Sequence, residues 1–332
     1  MTTIGRRWTG ILSGLCMIVL ILDSKTALTG AKDGLMLCLN AVIPALFPFI
    51  IISAIFNSNI IGRRIKFLRP LCKMCGIPAG CESVLLLGLI GGYPVGAQTV
   101  YDAYRGNCID APTAKRILGF CNNAGPSFIF GILSTQFATK GFIWIIWLIH
   151  IISALFVGAV LPNKQNTVSS LSNVTAITLS KAMENALKVL ASICGWVILF
   201  RIIISFFNCW FSWLLPVPWQ VAIAGILELT NGCCTLSTLP SESLQFVICC
   251  CLLSFGGFCV FLQTLSVTKE LRGGLHFYGK ILQTTVSFIL ACILQPLLFS
   301  GDNRVPLPYL CIGILCFILF LYFLHRKKVV AL

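Results

Sequence analysis

Gly91-Gly92-Tyr93-Pro94-Val95-Gly96 interrupts an apolar run that is otherwise fit to cross a bilayer, and Cys121-Asn122-Asn123-Ala124-Gly125-Pro126 interrupts the next. The second half of the chain carries a matching pair of interruptions, Glu228-Leu229-Thr230-Asn231-Gly232 and Ser254-Phe255-Gly256-Gly257. Hydrocarbon offers no water to free N–H and C=O groups. Non-helical backbone at membrane depth is therefore tolerated only where protein buries it or a cavity receives it. A duplicated pair of broken helices predicts a transporter-like fold whose binding site lies where the breaks meet.

Composition agrees. Of 332 residues 58% are hydrophobic and 10% charged, and the mean hydropathy is +0.95. A soluble domain carries about 25% charged residues, so this is a polytopic membrane protein. The net charge of +14 does not point to nucleic acid, because the basic residues stand at segment ends, where they orient a membrane protein. The 18 cysteines lie mostly in apolar runs such as Cys249-Cys250-Cys251 and read as small hydrophobes. Cys72-x-x-Cys75 with Cys81 is the one metal-like spacing, and it lacks a second pair or histidine ligands. No metal or other cofactor is expected. Neither is enzymatic activity, since His150, His276 and His325 are scattered and no nucleophile elbow, phosphate loop or zincin motif occurs. Arg6 and Arg7 followed by an apolar run to Leu22 resemble a signal sequence, but no small-x-small site precedes Asp23, so an uncleaved first helix is expected.

The fold class expected is all-α: about eight transmembrane helices, each near the ~20 residues a bilayer needs, plus two re-entrant hairpins. The helices are placed near 8–24, 32–58, 115–137, 141–161, 182–209, 243–266, 280–299 and 307–324, and the hairpins at 83–101 and 219–237. Residues 1–30 then hold the N-terminal helix, 31–164 a first repeat, 165–180 a cytoplasmic linker, 181–300 a second repeat, and 301–332 a last helix with a basic tail. With an inside N-terminus, Arg63 to Lys73, Arg105, Lys115 and Arg116, Lys164 and Lys181, Lys269, Arg272 and Lys280, and Arg326 to Lys328 all fall inside. Trp210, Trp213 and Trp219 suit the outer interface belt. Phe49-Ile50-Ile51-Ile52-Ser53 is echoed by Arg201-Ile202-Ile203-Ile204-Ser205. The first half begins outside-to-inside and the second inside-to-outside, which is an inverted-topology repeat.

Proline favours the first turn of a helix, so Pro94 and Pro126 are expected to start half-helices whose N-termini point into the membrane. Such an end presents free N–H groups and about half a positive charge, and it suits an anion. The candidate solute-binding residues are Gly92, Tyr93, Pro94, Gly96 and Gln98 at the first break, and Asn122, Asn123, Gly125 and Pro126 at the second. In the other half they are Arg201, then Glu228, Thr230, Asn231 and Gly232, then Gly256, Gly257 and Gln263. Each has a plainer alternative. Gly/Pro breaks also permit tight helix crossings. Asn122 and Asn123 either touch solute or brace the broken helix. Tyr93 either stacks on an aromatic ring or sits at the interface. Arg201 and Glu228, ionisable residues at membrane depth, either form an ion pair or divide their roles, Arg201 taking a carboxylate and Glu228 a proton. Arg201 could also snorkel to the surface.

Gly91-Gly92-Tyr93-Pro94-Val95-Gly96-Ala97, Phe120-Cys121-Asn122-Asn123-Ala124-Gly125-Pro126 and Glu228-Leu229-Thr230-Asn231-Gly232 together resemble the YlbJ-type sporulation integral membrane proteins. These belong to the nucleoside-recognition, or Gate-domain, membrane proteins of spore-forming Firmicutes. The resemblance runs from about residue 30 to residue 300. It implies a carrier of dipicolinic acid across the outer forespore membrane, and the basic loops read above place both termini on the cytoplasmic side. Dipicolinate is a flat aromatic dianion, suited to helix ends, Asn amides, Arg201 and a stacking Tyr93. Two positions depart from the family's pattern: Gln98 stands where Lys is expected, and Phe261 where a polar residue such as His is expected. A nucleoside or other small-solute transporter of the Gate-domain group is the alternative. A non-transporting scaffold for other sporulation membrane proteins is a second. The partners expected are thus a small anionic aromatic solute and the lipid bilayer, with no nucleic acid.

Overall fold

The computed structural model describes residues 3–60, 63–139, 141–162 and 177–299, and these contain helices and turns and no strand. The helix expected at 307–324, the basic tail and most of the 165–180 linker lie outside the described residues.

Helix α1 spans Thr3–Leu22. Helix α2 (Ser24–Leu37) starts earlier than expected, because the Asp23 side chain accepts from the Thr26 N–H at its first turn, satisfying a donor that otherwise has no partner. A π-turn, Cys38–Val42, joins it to α3 (Ile43–Ile60). Pro44 accounts for that turn: it has no N–H for the carbonyl four residues back, Asn40, and its ring crowds that carbonyl. Short helices follow: α4 (Arg69–Met74), α5 (Glu82–Ile90), α6 (Val95–Arg105), α7 (Ala111–Ile117) and α8 (Pro126–Gly131). The expected helix 115–137 is therefore two short pieces with extended chain between them. Helix α9 (Phe142–Val160) closes the first half.

The second half is built from six further helices among the described residues. Long helix α10 (Leu179–Phe211) precedes two short helices, α11 (Val217–Leu227) and α12 (Leu229–Cys234). An interrupted helix follows, α13 (Glu242–Phe255) and α14 (Gly257–Val267). Helix α15 (His276–Leu298) comes last among the described residues.

Among the described residues, five stretches are long and apolar enough to cross a membrane: Ser24–Ile60, Phe142–Val160, Leu179–Leu214, Glu242–Val267 and His276–Leu298. Their outer faces are apolar. On α9, Trp144, Leu148, Ile152 and Phe156 are exposed, whereas Ile146, Ile149, Ser153 and Val157 are buried. Two opposite stripes at helical spacing, one bare and greasy, suit a helix with protein on one side and lipid on the other. The chain is an integral membrane protein.

α10 packs along α2 and α3, and α15 packs against α9 and α13. Phe142, Phe246 and Phe299 form one ring cluster, with centroids 4.6 to 6.2 Å apart. The starts of α9 and α13 thus meet the end of α15. At the opposite end the Leu275 N–H donates to the Lys115 carbonyl at 2.8 Å. α15 therefore runs antiparallel to both partners.

One basic residue assigned to a loop is buried. The Arg116 guanidinium donates to the carbonyls of Cys75 (2.7 Å), Gly76 (2.6 Å) and Gly158 (3.4 Å), and it lies 5.5 Å from the Phe120 ring centroid. It ties the α4 region to α9. Cys72 and Cys75 are fully buried beside it. Burial pushes their thiols up to about 12 and about 11, so they stay protonated and pack as small hydrophobes.

Candidate solute site

The first two interruptions meet. A Cβ on Gly125 would stand 3.0 Å from the Gly92 Cα and 3.1 Å from its nitrogen. Only two facing glycines allow backbones to approach this closely. Gly96 brings α6 equally near the Cys121 carbonyl. The second-half breaks meet in the same manner: Gly232 packs on Gly225, and Gly257 faces the Gly225 carbonyl and the Leu229 nitrogen. The halves are then joined. The Tyr93 hydroxyl donates to the Leu253 carbonyl at 3.2 Å, and Gly256, at φ +83°, turns the chain directly under that hydroxyl.

The helix ends themselves are not open anion sites. At the α6 N-terminus, capped by Pro94, the Ala97 N–H is taken by Asn122 Oδ1 at 3.2 Å. The helix begun by Pro126 is only six residues long, too short for a substantial macrodipole. The α12 end is filled by its own Glu228. That carboxylate is buried and accepts from the Thr230 N–H (3.0 Å), the Asn231 N–H (2.7 Å) and Asn231 Nδ2 (2.8 Å). The converging free amide ends expected from the two prolines are therefore corrected: Asn122 Oδ1 occupies the one at Pro94, and the one at Pro126 heads a helix of only six residues.

Asn122 and Asn123 brace the fold. Asn122 also donates to Thr264 Oγ1 at 2.9 Å, linking the first half to α14. Asn123 donates to the Gly88 and Phe120 carbonyls (2.8 and 2.7 Å), and its Oδ1 accepts from Lys280 Nζ (2.9 Å) and Gln283 Nε2 (3.0 Å). All of its bonding capacity is used. The expected Arg201–Glu228 ion pair does not form. Arg201 binds Asp33 Oδ2 at 3.1 Å and Asn231 Oδ1 at 2.9 Å. The early start of α2 places Asp33 on a helix facing α10. Arg201 and Glu228 touch only through the Asn231 amide between them.

Three cavities lie at or beside the meeting point. A cleft of about 50 Å³ is lined by Gly92, Tyr93, Gly125, Glu228, Thr230 and Gln263 among others. Gln263 donates to Cys259 Sγ at 3.2 Å. A cavity of about 780 Å³ runs from Pro94 and Gln98 along α3, α6 and the start of α10, past Asn57, Asp102, Arg105 and Lys188. A third, of about 470 Å³, shares Pro94, Gln98 and Lys188 with it and reaches Gln263. Gln98, at the head of this vestibule, donates to Asp102 Oδ1 at 2.6 Å. Arg201 lines none of the three.

One residue here was misplaced by the sequence. Lys280, assigned to a cytoplasmic loop, lies inside α15 with 2% of its surface exposed. Its Nζ donates to Asn123 Oδ1 and to Gln283 Oε1 (2.8 Å) and lies 5.3 Å from the centre of the Tyr93 ring. Gln283 and His150 continue the chain of polar groups, Gln283 Nε2 lying 3.4 Å from His150 Nδ1, and Ser254 Oγ lies 3.4 Å from that same nitrogen. His276, also buried, stacks on Phe261 with an interplanar angle of 4°. The signal for Lys280 was available: an ionisable residue inside a span is a functional candidate by default, once the helix is seen to start at His276.

The chain is similar to the sporulation integral membrane protein YlbJ of Bacillus subtilis (strain 168), with 23% identity over 327 residues, covering 83% of this chain and 79% of that protein. This bears out the resemblance drawn from the Gly-Tyr-Pro and Asn-Asn motifs. No family model matches the chain, and no solved structure matches it.

Proposed function

We propose that this protein is a sporulation membrane carrier that moves a small aromatic dicarboxylate, dipicolinate fitting best, across the outer forespore membrane by alternating access. The observation that carries this reading is the meeting of the helix interruptions around Tyr93, with the first of them, at Pro94, also heading a cavity of about 780 Å³, within the usual ligand-pocket range of about 300–1,000 Å³. The cleft at the junction itself, about 50 Å³, has room for little more than one water at about 30 Å³ each. The conformation is thus closed at the junction and open along α3, α6 and α10. The α5/α6 and α11/α12 pairs act as re-entrant hairpins of an inverted repeat, and the vestibule opens on the cytoplasmic side, where Arg105 and Lys188 stand.

An anionic guest is favoured because Lys280 is a buried basic group with no carboxylate in reach among the described residues. A neutral nucleoside would rely on Asn122 and Asn123, whose amides are already engaged. Purified full-length protein in liposomes should take up labelled dipicolinate and not uridine. Uridine uptake without dipicolinate uptake would favour the nucleoside reading, and uptake of neither would favour a scaffold.

The geometry also assigns Arg201 a bracing role. Its pair with Asp33 is partly exposed, at 27% and 47% of the two side chains, and such pairs contribute about 0–1 kcal/mol. Arg201→Gln is expected to leave dipicolinate uptake near the wild-type rate with a slightly lower thermal midpoint. Abolished uptake would return Arg201 to the solute. Cysteine-accessibility labelling in a Cys-depleted background tests the topology: residues 102–114 should label from inside and 210–218 from outside. Labelling of both from one face would remove the hairpins.

A further inference from the structure

Lys280 is held as an amine would be held. Its two recorded partners, Asn123 Oδ1 and Gln283 Oε1, are neutral oxygens, and a neutral amine has two N–H groups to give. An ammonium has three, and at this site the third finds no oxygen or nitrogen acceptor among the described residues and meets only the Tyr93 ring, whose centre is 5.3 Å away. A buried ammonium without a counter-charge is costly. The titratable groups around it carry no permanent charge: Cys121 from the α7–α8 connection and His276 from its own helix within electrostatic reach, Tyr93 from the first break, and His150 from α9. None of the described aspartates or glutamates pairs with it, and Glu228, across the cleft, is engaged by its own helix end. A second observation concerns His150. It is 1% exposed, its Nδ1 faces the Gln283 amide, and its buried Nε2 has no partner. The Tyr93 ring connects this network to the site, since it lies against Lys280 and lines the cleft between the breaks.

Resting on the carrier reading above, we propose that Lys280 is the carrier's proton-binding cation, so that dicarboxylate and proton cross together. The Nζ lone pair takes a proton from vestibule water as the solute enters. The resulting ammonium gives its third N–H to a solute carboxylate. On the far side the solute leaves and the proton returns to water, with no covalent bond of the solute made or broken. The His150–Gln283 contact holds the Gln283 amide with its oxygen toward Lys280.

The test uses full-length protein in liposomes loaded with a pH-sensitive dye, with labelled dipicolinate as the probe. Wild type should acidify the lumen as dipicolinate enters, and an imposed inward proton gradient should drive accumulation. Lys280→Met should lose net uptake. Lys280→Arg keeps a charge that cannot be given up, so it should exchange external for internal dipicolinate while net, proton-linked uptake is lost. Dipicolinate uptake by wild type without proton movement would overturn the inference and leave the carrier reading intact, and this measurement needs no variant. Normal coupled uptake by Lys280→Arg would do the same. Absence of any dipicolinate movement by wild type would overturn both.

Discussion

Gly96→Ala is expected to abolish uptake and to lower the thermal unfolding midpoint by several degrees. The added Cβ would lie 2.5 Å from the Cys121 carbonyl oxygen and 2.9 Å from the Asn122 Cα. Both are backbone atoms of an extended segment that is itself pinned by Asn123, so no flexible side chain can swing away. Relief requires α6 to move off the second break. That motion stretches the Ala97–Asn122 bond and opens the contact between Gly92 and Gly125. Overpacking of this kind costs about 1–3 kcal/mol, and in a chain of this size each kcal/mol lowers the midpoint by a few degrees. The control is Gly195→Ala on α10, whose Cβ would meet nothing within 4 Å. It should leave both uptake and midpoint unchanged. Wild-type transport by Gly96→Ala would mean that the breaks need not touch for the carrier to work. Uptake and intrinsic-fluorescence melting of the same preparations decide it.

The breaks were legible because their chemistry is local. Glycine, proline and paired asparagines stop a helix wherever they occur, so Gly91–Gly96, Asn122–Pro126, Asn231-Gly232 and Gly256-Gly257 could be placed without partners. What the side chains do there was not legible, because every decisive partner is distant in sequence. Asn122 finds Thr264, Asn123 finds Lys280 and Gln283, and Arg201 finds Asp33. Proximity along the chain suggested Glu228 for Arg201 instead. The positive-inside reading set Arg116 and Lys280 in loops, and the structure buries both. Each begins or follows a loop rich in basic residues, and hydropathy alone cannot tell a charge at a helix end from one a single turn further in. The helix-end anion site failed for a related reason. A sequence shows that an N-terminus has free N–H groups but not that Glu228 or Asn122 will fold back onto them.

Gln283→Glu separates a bracing lysine from a coupling one. The Gln283 Oε1 lies 2.8 Å from Lys280 Nζ, so the substitution sets a carboxylate where a neutral oxygen stood, with almost no change of shape. At an effective dielectric of 20, unit charges 4 Å apart attract by about 4 kcal/mol, which is roughly a thousandfold in an equilibrium constant. The lysine would then stay charged and satisfied through the whole cycle. A guest carboxylate would meet a cation already neutralised, and the proton would have no reason to leave. Net uptake and lumen acidification should both fall to the level of empty liposomes, while the thermal midpoint moves little, because the new ion pair offsets the Nε2 bonds to Asn123 Oδ1 and the His150 carbonyl that a carboxylate cannot make. Gln283→Met, which removes an acceptor without adding charge, should instead lower the midpoint and keep part of the uptake. If Lys280 only props Asn123 in place, the charged pair still holds its Nζ against Asn123 Oδ1, and Gln283→Glu would keep net uptake at the level of Gln283→Met. That outcome would leave the junction of broken helices standing but take the proton away from it.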